Sequence, residues 1–142
     1  MQELAYEPKE LRSLRFRQWA QVTGLWSTSD PNVLARLDAH HIWAPAFLES
    51  RLRWRERQPI TVLELRVHTL AAPLELPPRE EYWGCFSFVA LEQDGAPERA
   101  AAALSAAAPA LDDVAFAARQ AEVREVLAGL AELQELSIPA AT

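Results

Sequence analysis

Cysteine and glycine are scarce in this sequence, and each scarcity excludes a class of site. The 142 residues contain one cysteine, Cys85, so the chain forms no intramolecular disulfide and suits a reducing compartment. Four glycines do not make a glycine-rich phosphate loop. No apolar run approaches the ~18–20 residues of a membrane span, and the start MQELAYEPKELRSLRFRQ is too polar for a signal peptide. We therefore expect a soluble cytoplasmic protein that does not associate with a membrane.

Histidines are also few, and their spacing does not suit a metal ion. On a helix, the adjacent His40 and His41 would point about 100° apart and could not bind one ion together. His68 lies well beyond them, and no zinc-type spacing is present. The carboxylates that general acid–base catalysis would need are scattered at Glu49, Glu56 and Glu64. The sequence predicts no metal site and no cofactor.

The chain has fewer positive than negative side chains, and the positive ones are distributed unevenly. The formal net charge is −6. Residues 1–70 carry ten Lys and Arg against eight Asp and Glu, whereas residues 71–142 carry four against twelve. An acidic chain is a poor nonspecific ligand for duplex DNA, because that affinity comes from neutralising phosphates. Two interpretations of the uneven charge remain. The first half carries a basic patch, or the two halves simply complement one another electrostatically.

Hydrophobic periodicity predicts an α+β domain. We expect a small, mainly antiparallel sheet, two short helices and a long C-terminal helix. The strands are predicted at 16–26, 60–70 and 85–91, and the helices at 31–39, from 44 to before Pro59, and at 112–136. Residues 1–95 would form the core, 96–111 an alanine-rich linker and 112–142 the last helix and tail, in a single domain overall.

Three details refine this prediction. Gly24 interrupts the first strand, which indicates a bulge or a close backbone approach. Asp30 with Pro31, and Asp112 with Asp113, are typical of helix starts. The last helix carries an apolar stripe that favours docking on its own domain over a coiled coil, since sustained heptads are missing. The stripe consists of Val123, Val126, Leu127, Leu130 and Leu133.

The stretch HHIWAPAFLESRLRWRERQP, residues 40–59, contains the most concentrated candidate site. We call Arg51, Arg53, Trp54, Arg55 and Arg57 the arginine cluster. Arginines beside an exposed aromatic ring are typical of single-stranded nucleic-acid or phosphate binding. The alternative is a structural helix, in which His41 and Trp43 anchor the start, Trp54 is buried at the end, and the arginines favour the negative helix terminus.

Cys85 offers a second candidate site. It would be a nucleophile only if a base such as His41 activated it. The competing interpretation is that Cys85 is a small buried hydrophobic residue at the start of a strand, and the sequence favours that interpretation.

The same segments resemble a bacterial family, the domain of unknown function 1802. The resemblance covers about residues 16–127 and includes the segment ALDDVAFAARQAEVREVL. Its other matching positions are His41-Ile42-Trp43, Phe47, Arg51-Leu52-Arg53-Trp54, Pro59, Val62-Leu63, Leu65-Arg66-Val67, Tyr82 and Gly84-Cys85.

Two departures from the family pattern matter. Family members usually carry a preceding half that is not found here, so we expect a truncated or split member, or a misplaced start. In the segment from Tyr82 to Phe88, aromatic residues replace a glycine and a basic residue, which argues against catalysis or phosphate binding there.

The functional expectation is a non-enzymatic binding or accessory module. The resemblance implies an association with restriction–modification or other DNA-related genes, and the arginine cluster favours nucleic acid as the ligand. The order of strands and helices is also similar to small RNA-binding barrels, which by fold analogy alone suggests a partial barrel. Two alternatives stay open: an enzyme using Cys85 and His41, and a structural subunit. Through its C-terminal helix, such a subunit would pair with a second copy or with a separately encoded front half.

Overall fold

The computed structural model of the chain describes residues 12–44, 46, 50, 59–82, 89–92 and 95–138. These residues confirm the α+β class and the antiparallel sheet. The strands are β1 (Leu14–Thr28), β2 (Ile60–Leu76), β3 (Ala108–Pro109) and β4 (Gln134–Glu135). The helices are α1 (Val33–Arg36), α2 (Ala96–Ser105) and α3 (Asp113–Ala128), with single 3-10 turns at Asp38–His40 and Glu80–Tyr82.

The sheet has the order β3-β2-β1-β4, with the two long strands in the middle. β3 pairs antiparallel with β2, placing Pro109 opposite His68, and β4 pairs antiparallel with β1, placing Glu135 opposite Trp26. The two central strands also run in opposite directions, because their contacts pass from Thr23 with Glu64 to Trp19 with His68.

β2 extends six residues beyond its predicted end at Leu70, through a segment that contains Pro73. The amide of Ala110 donates to the carbonyl of Val67, so the backbone groups of the odd-numbered β2 residues point towards β3. Pro73 shares that orientation and lies past the last residue paired with β3. Its missing N–H therefore falls on an open sheet edge, where proline is tolerated in a strand.

The third predicted strand, 85–91, mostly lies outside the described residues, which leave out 83–88. Residues 89–91 have no regular secondary structure. The predicted helix from 44 towards Pro59 also falls mainly outside them, although Ala46 and Ser50 are helical.

The chain divides into two compact units. The first comprises residues 1–19 and 67–110, and its α2 forms from the alanine-rich stretch that was predicted as a linker. The second comprises residues 20–66 and 111–142 and contains a hydrophobic core. That core consists of Trp26, Val33, Leu37, Leu127 and Leu130.

α3 supplies much of this core, as its apolar stripe predicted. Leu127 and Leu130 are buried, and Val123, Val126 and Leu133 pack against them. The stripe is thus a docking face on its own unit rather than a free coiled-coil seam.

The start of α3 is confirmed, but its predicted end at residue 136 is wrong. Asp112 caps the helix by accepting a hydrogen bond from the amide of Ala115 at 2.8 Å. The helix ends at Ala128, because the guanidinium of Arg36 binds the carbonyl of Gly129 and the chain then turns back to form β4. A side chain at Gly129 would overlap that guanidinium.

The predicted helix at 31–39 is shorter and starts differently. α1 spans four residues, and Asn32, not Asp30, occupies its N-cap position. Asp30 instead accepts hydrogen bonds from the amide of Asn32 at 2.8 Å and from the amide of Ala131 at 2.9 Å. It therefore ties the start of α1 to the turn that follows α3.

Gly24 confirms the predicted close approach. A side chain there would overlap the indole ring of Trp26, which lies over the glycine. Gly24, Trp26 and Thr28 are the buried positions at this end of β1, so the strand keeps its two-residue alternation across the glycine.

We predict that Gly24→Ala lowers the free energy of unfolding by about 1–3 kcal/mol, since the new methyl group displaces a buried indole. Urea unfolding followed by far-UV circular dichroism measures this. Gln21→Ala, at an exposed position of the same strand, should change it by less than about 0.5 kcal/mol. Equal midpoints for Gly24→Ala and wild type would contradict the packing of Trp26 over Gly24.

Candidate functional site

The predicted site residues divide into those that the structure describes and those that it does not. The arginine cluster and Cys85 lie outside the described residues, so both candidate sites stay predictions. His41 is described, and it lies in the second compact unit.

His41 fastens the loop that follows α1. Its Nε2 lies 3.1 Å from the carbonyl oxygen of Leu34, and its Nδ1 lies 3.2 Å from the amide nitrogen of Trp43. Because an amide can only donate, Nδ1 accepts from Trp43 and Nε2 carries the proton given to Leu34. Both ring nitrogens are thus bonded to the backbone, and these bonds fix the orientation of the ring.

The residues after His41 point outward. Ile42 is 95% exposed and Trp43 is 54% exposed. Trp43, which the sequence suggested as a second anchor, thus keeps more than half of its surface in solvent. The loop is fixed by its histidine and presents an aliphatic and an aromatic side chain.

Among the residues that the structure describes, the most highly connected polar group is Glu64, in the first third of β2. Its side chain is 6% exposed. The Oε1 atom accepts hydrogen bonds from Thr23 Oγ1 at 2.8 Å, Gln120 Nε2 at 2.7 Å and Arg124 Nη2 at 3.0 Å. Oε2 accepts one from Arg124 Nε at 3.1 Å. Both carboxylate oxygens are therefore occupied, and the Arg124 contact is bidentate.

Two opposing effects act on the pKa of Glu64. Burial disfavours the charged carboxylate and raises the pKa, while the hydrogen bonds from Arg124, Gln120 and Thr23 lower it. The hydrogen bonds prevail, so the pKa of Glu64 lies below its ordinary value. The same hydrogen bond raises the pKa of Arg124. Glu64 is therefore a stable anion, which does not suit it to act as a general base at neutral pH.

Sequence reasoning missed this arrangement because the inward face of β2 mixes the apolar Ile60 and Val62 with the charged Glu64. Ordinarily the apolar side of an alternating strand packs inward. Here Glu64 is buried under α3, while Leu63 and Leu65 are 42% and 45% exposed. The available signal was a charged residue at the centre of the strongest strand, but its partners lie 56 and 60 positions later in the sequence.

Neighbouring polar residues on β2 are also covered. The guanidinium of Arg66 binds Asp113 and lies 4.9 Å above the ring of Phe116, both on α3. In the first unit, His68 stacks on Trp19 with ring centroids 4.3 Å apart. These residues stabilise their elements by packing and charge.

Within the described part of the chain, no three His, Cys, Asp or Glu residues come together in a way that could hold a metal ion. The helices among these residues are also too short or too polar to cross a membrane.

We predict that Arg124→Leu lowers the free energy of unfolding by about 1–3 kcal/mol. The substitution leaves a buried carboxylate without its counter-ion, and the half-exposed position of Arg124 keeps the loss below that of a fully buried pair. Arg119→Leu is the matched control on the same helix, since Arg119 binds the exposed Glu122, and it should cost below about 0.5 kcal/mol. Equal losses in the two variants would show that Glu64 does not depend on Arg124.

The lowered pKa of Glu64 also predicts a pH dependence. A carboxyl whose pKa is lower in the folded state than in the unfolded state contributes stability above its unfolded pKa and loses it as pH falls. The free-energy difference between wild type and Glu64→Gln should be constant at neutral pH and shrink as pH falls below the ordinary value of 4.5. Urea titrations from pH 7 to pH 3 test this, with Glu122→Gln as an exposed control. A difference that does not change with pH would contradict it.

Comparison with known proteins identifies the family without adding an activity. Neither the curated proteins nor the solved structures contain a match to this chain. The family model described as "Domain of unknown function (DUF1802)" matches residues 2–122. That match spans most of the chain, including His41, Glu64 and the start of α3. The chain therefore belongs to the DUF1802 family.

Proposed function

We propose that the protein is a non-enzymatic binding module for single-stranded nucleic acid. One observation carries the proposal: Trp43, more than half exposed, sits on a loop fixed by His41 and precedes the arginine cluster by only a few residues. An exposed indole and several guanidinium groups supply the stacking and the charge that such a ligand requires.

The charge of this segment supports the same ligand class. Residues 41–58 contain four arginines against two acids, Glu49 and Glu56, although the chain as a whole is acidic. A local basic segment in an acidic protein favours a ligand that makes a few phosphate contacts over extensive duplex binding.

A non-enzymatic role agrees with the bonding of His41 and Glu64. Both ring nitrogens of His41 bond to the backbone, and both oxygens of Glu64 are occupied. No specific observation favours an enzyme based on Cys85 and His41. A subunit that pairs through its last helix gains no support either, since the apolar stripe of α3 is used within its own unit.

The proposal places the protein in the cytoplasm of a bacterial cell. The single cysteine agrees with a reducing compartment, and the family resemblance implies the bacterial source.

Fluorescence anisotropy with a labelled oligothymidylate of twelve nucleotides tests the proposal. We expect saturable binding whose affinity falls with salt, with a slope of log K against log [salt] of about −3 if all four arginines contact phosphates. Absence of binding at low salt would refute the proposal.

Substitutions separate the stacking contribution of Trp43 from the electrostatic contribution of the arginines. Trp43→Ala should weaken binding at least about fivefold by removing a stacking surface. The double variant Arg53→Gln and Arg57→Gln should weaken binding and flatten the salt dependence, whereas Arg12→Gln with Arg119→Gln changes the net charge equally and should leave both unaltered. Equal effects of the two double variants would indicate nonspecific attraction and refute the assigned surface.

A further inference from the structure

The first compact unit contains a strand edge that β3 covers only in part. β3 pairs with His68 and Thr69, but β2 continues to Leu76. The odd-numbered residues of β2 point their backbone groups to the β3 side, as the bond from Ala110 to Val67 shows. Ala71, Pro73 and Glu75 therefore direct their backbone polar groups away from β1, beyond the end of β3.

A groove runs along this edge. Its volume is about 520 Å³, within the range of sites that hold ligands. One wall is β2 from Ala71 to Glu75, and the other is α2, whose contribution is mainly methyl groups. The groove residues on and next to α2 are Arg99, Ala102, Ala103 and Ala106. Larger side chains at these alanines would fill the space.

Arg99 marks one end of the groove. Its guanidinium donates to the carbonyl of Glu75, which confirms that odd-numbered backbone groups face α2. The Glu75 carboxylate is paired with Arg15 at 3.1 Å. Arg99 has five N–H groups and is exposed, so it can take a second, acidic partner.

We propose that this groove binds an extended peptide, which adds to β2 as an antiparallel strand in line with β3 and places an acidic side chain at Arg99. By the orientation of the odd-numbered residues, the edge offers the N–H and C=O of Ala71, the C=O of Pro73 and the N–H of Glu75, since Arg99 occupies the C=O of Glu75. This spacing of donors and acceptors matches an extended backbone. From residue 71 to residue 75 the strand rises about 13 Å, so about five peptide residues fill the edge.

The position of α2 selects a single strand over a second copy of the sheet. A copy that paired through its own β2 would need the space that α2 occupies, whereas a single extended chain needs only the groove between α2 and β2. Pro73 removes one donor, which makes the edge a poor template for indiscriminate pairing and restricts the register of the guest.

The probe is the peptide acetyl-Asp-Ala-Val-Ala-Val-Ala-amide, titrated into the ¹⁵N-labelled full chain. We expect saturable chemical-shift changes in the amides of Ala71, Glu75 and Ala103. Replacing Asp by Asn in the peptide should weaken binding about two- to fivefold, as expected for an exposed charged pair. N-methylation of alternate peptide amides should abolish binding, because it removes the donors of the added strand.

Two substitutions on α2 test the location. Ala102→Trp fills the groove and should abolish binding, while Ala101→Trp, on the same helix but outside the groove, should leave it unchanged. Arg99→Gln should make the Asp and Asn peptides equivalent. Any one of four results would overturn the proposal. These are unchanged binding in Ala102→Trp, full binding of the N-methylated peptide, shifts caused by oligothymidylate instead of peptide, and no saturable shifts in these amides.

Discussion

A buried carboxylate needs hydrogen-bond partners, which here come from two other elements, and the second compact unit is organised around that need. Glu64 on β2 binds Thr23 on β1, and binds Gln120 and Arg124 on α3. Leaving such a charge without its partners costs several kcal/mol. The network therefore fixes the position of α3 along β2. The adjacent core, which contains Trp26 and Leu127, packs in the same arrangement.

The extent to which this structure follows from its sequence depends on how local each signal is. Strand alternation at 60–70, the cap at Asp112 and the apolar stripe of α3 are local patterns, and all three appear in the fold. The end of α3 is different, because it is set by Arg36 reaching Gly129 from 93 positions away. The two-residue strands β3 and β4 have no pattern of their own, since pairing with β2 and β1 creates them.

In the candidate site, too, some features can be read from the sequence and others cannot. The sequence shows a histidine two residues before a tryptophan, but not the bonds from the histidine ring to Leu34 and Trp43. Those bonds make His41 the support of the loop that carries Trp43. Glu64 was recognisable as a charge in a strand, but its role depended on knowing that α3 covers that face. The sequence therefore drew attention to His41 and Glu64 more successfully than it predicted their roles.

The exposed leucines of β2 have a further consequence. If the strand slipped by one residue, Leu63 and Leu65 would turn inward, but Ile60 and Val62 would leave the core and Glu64 would lose its hydrogen bonds to α3. The apolar residues and the buried carboxylate on the inward face of β2 therefore favour the same register. The ion pair adds a requirement of exact geometry that an apolar face alone would not impose.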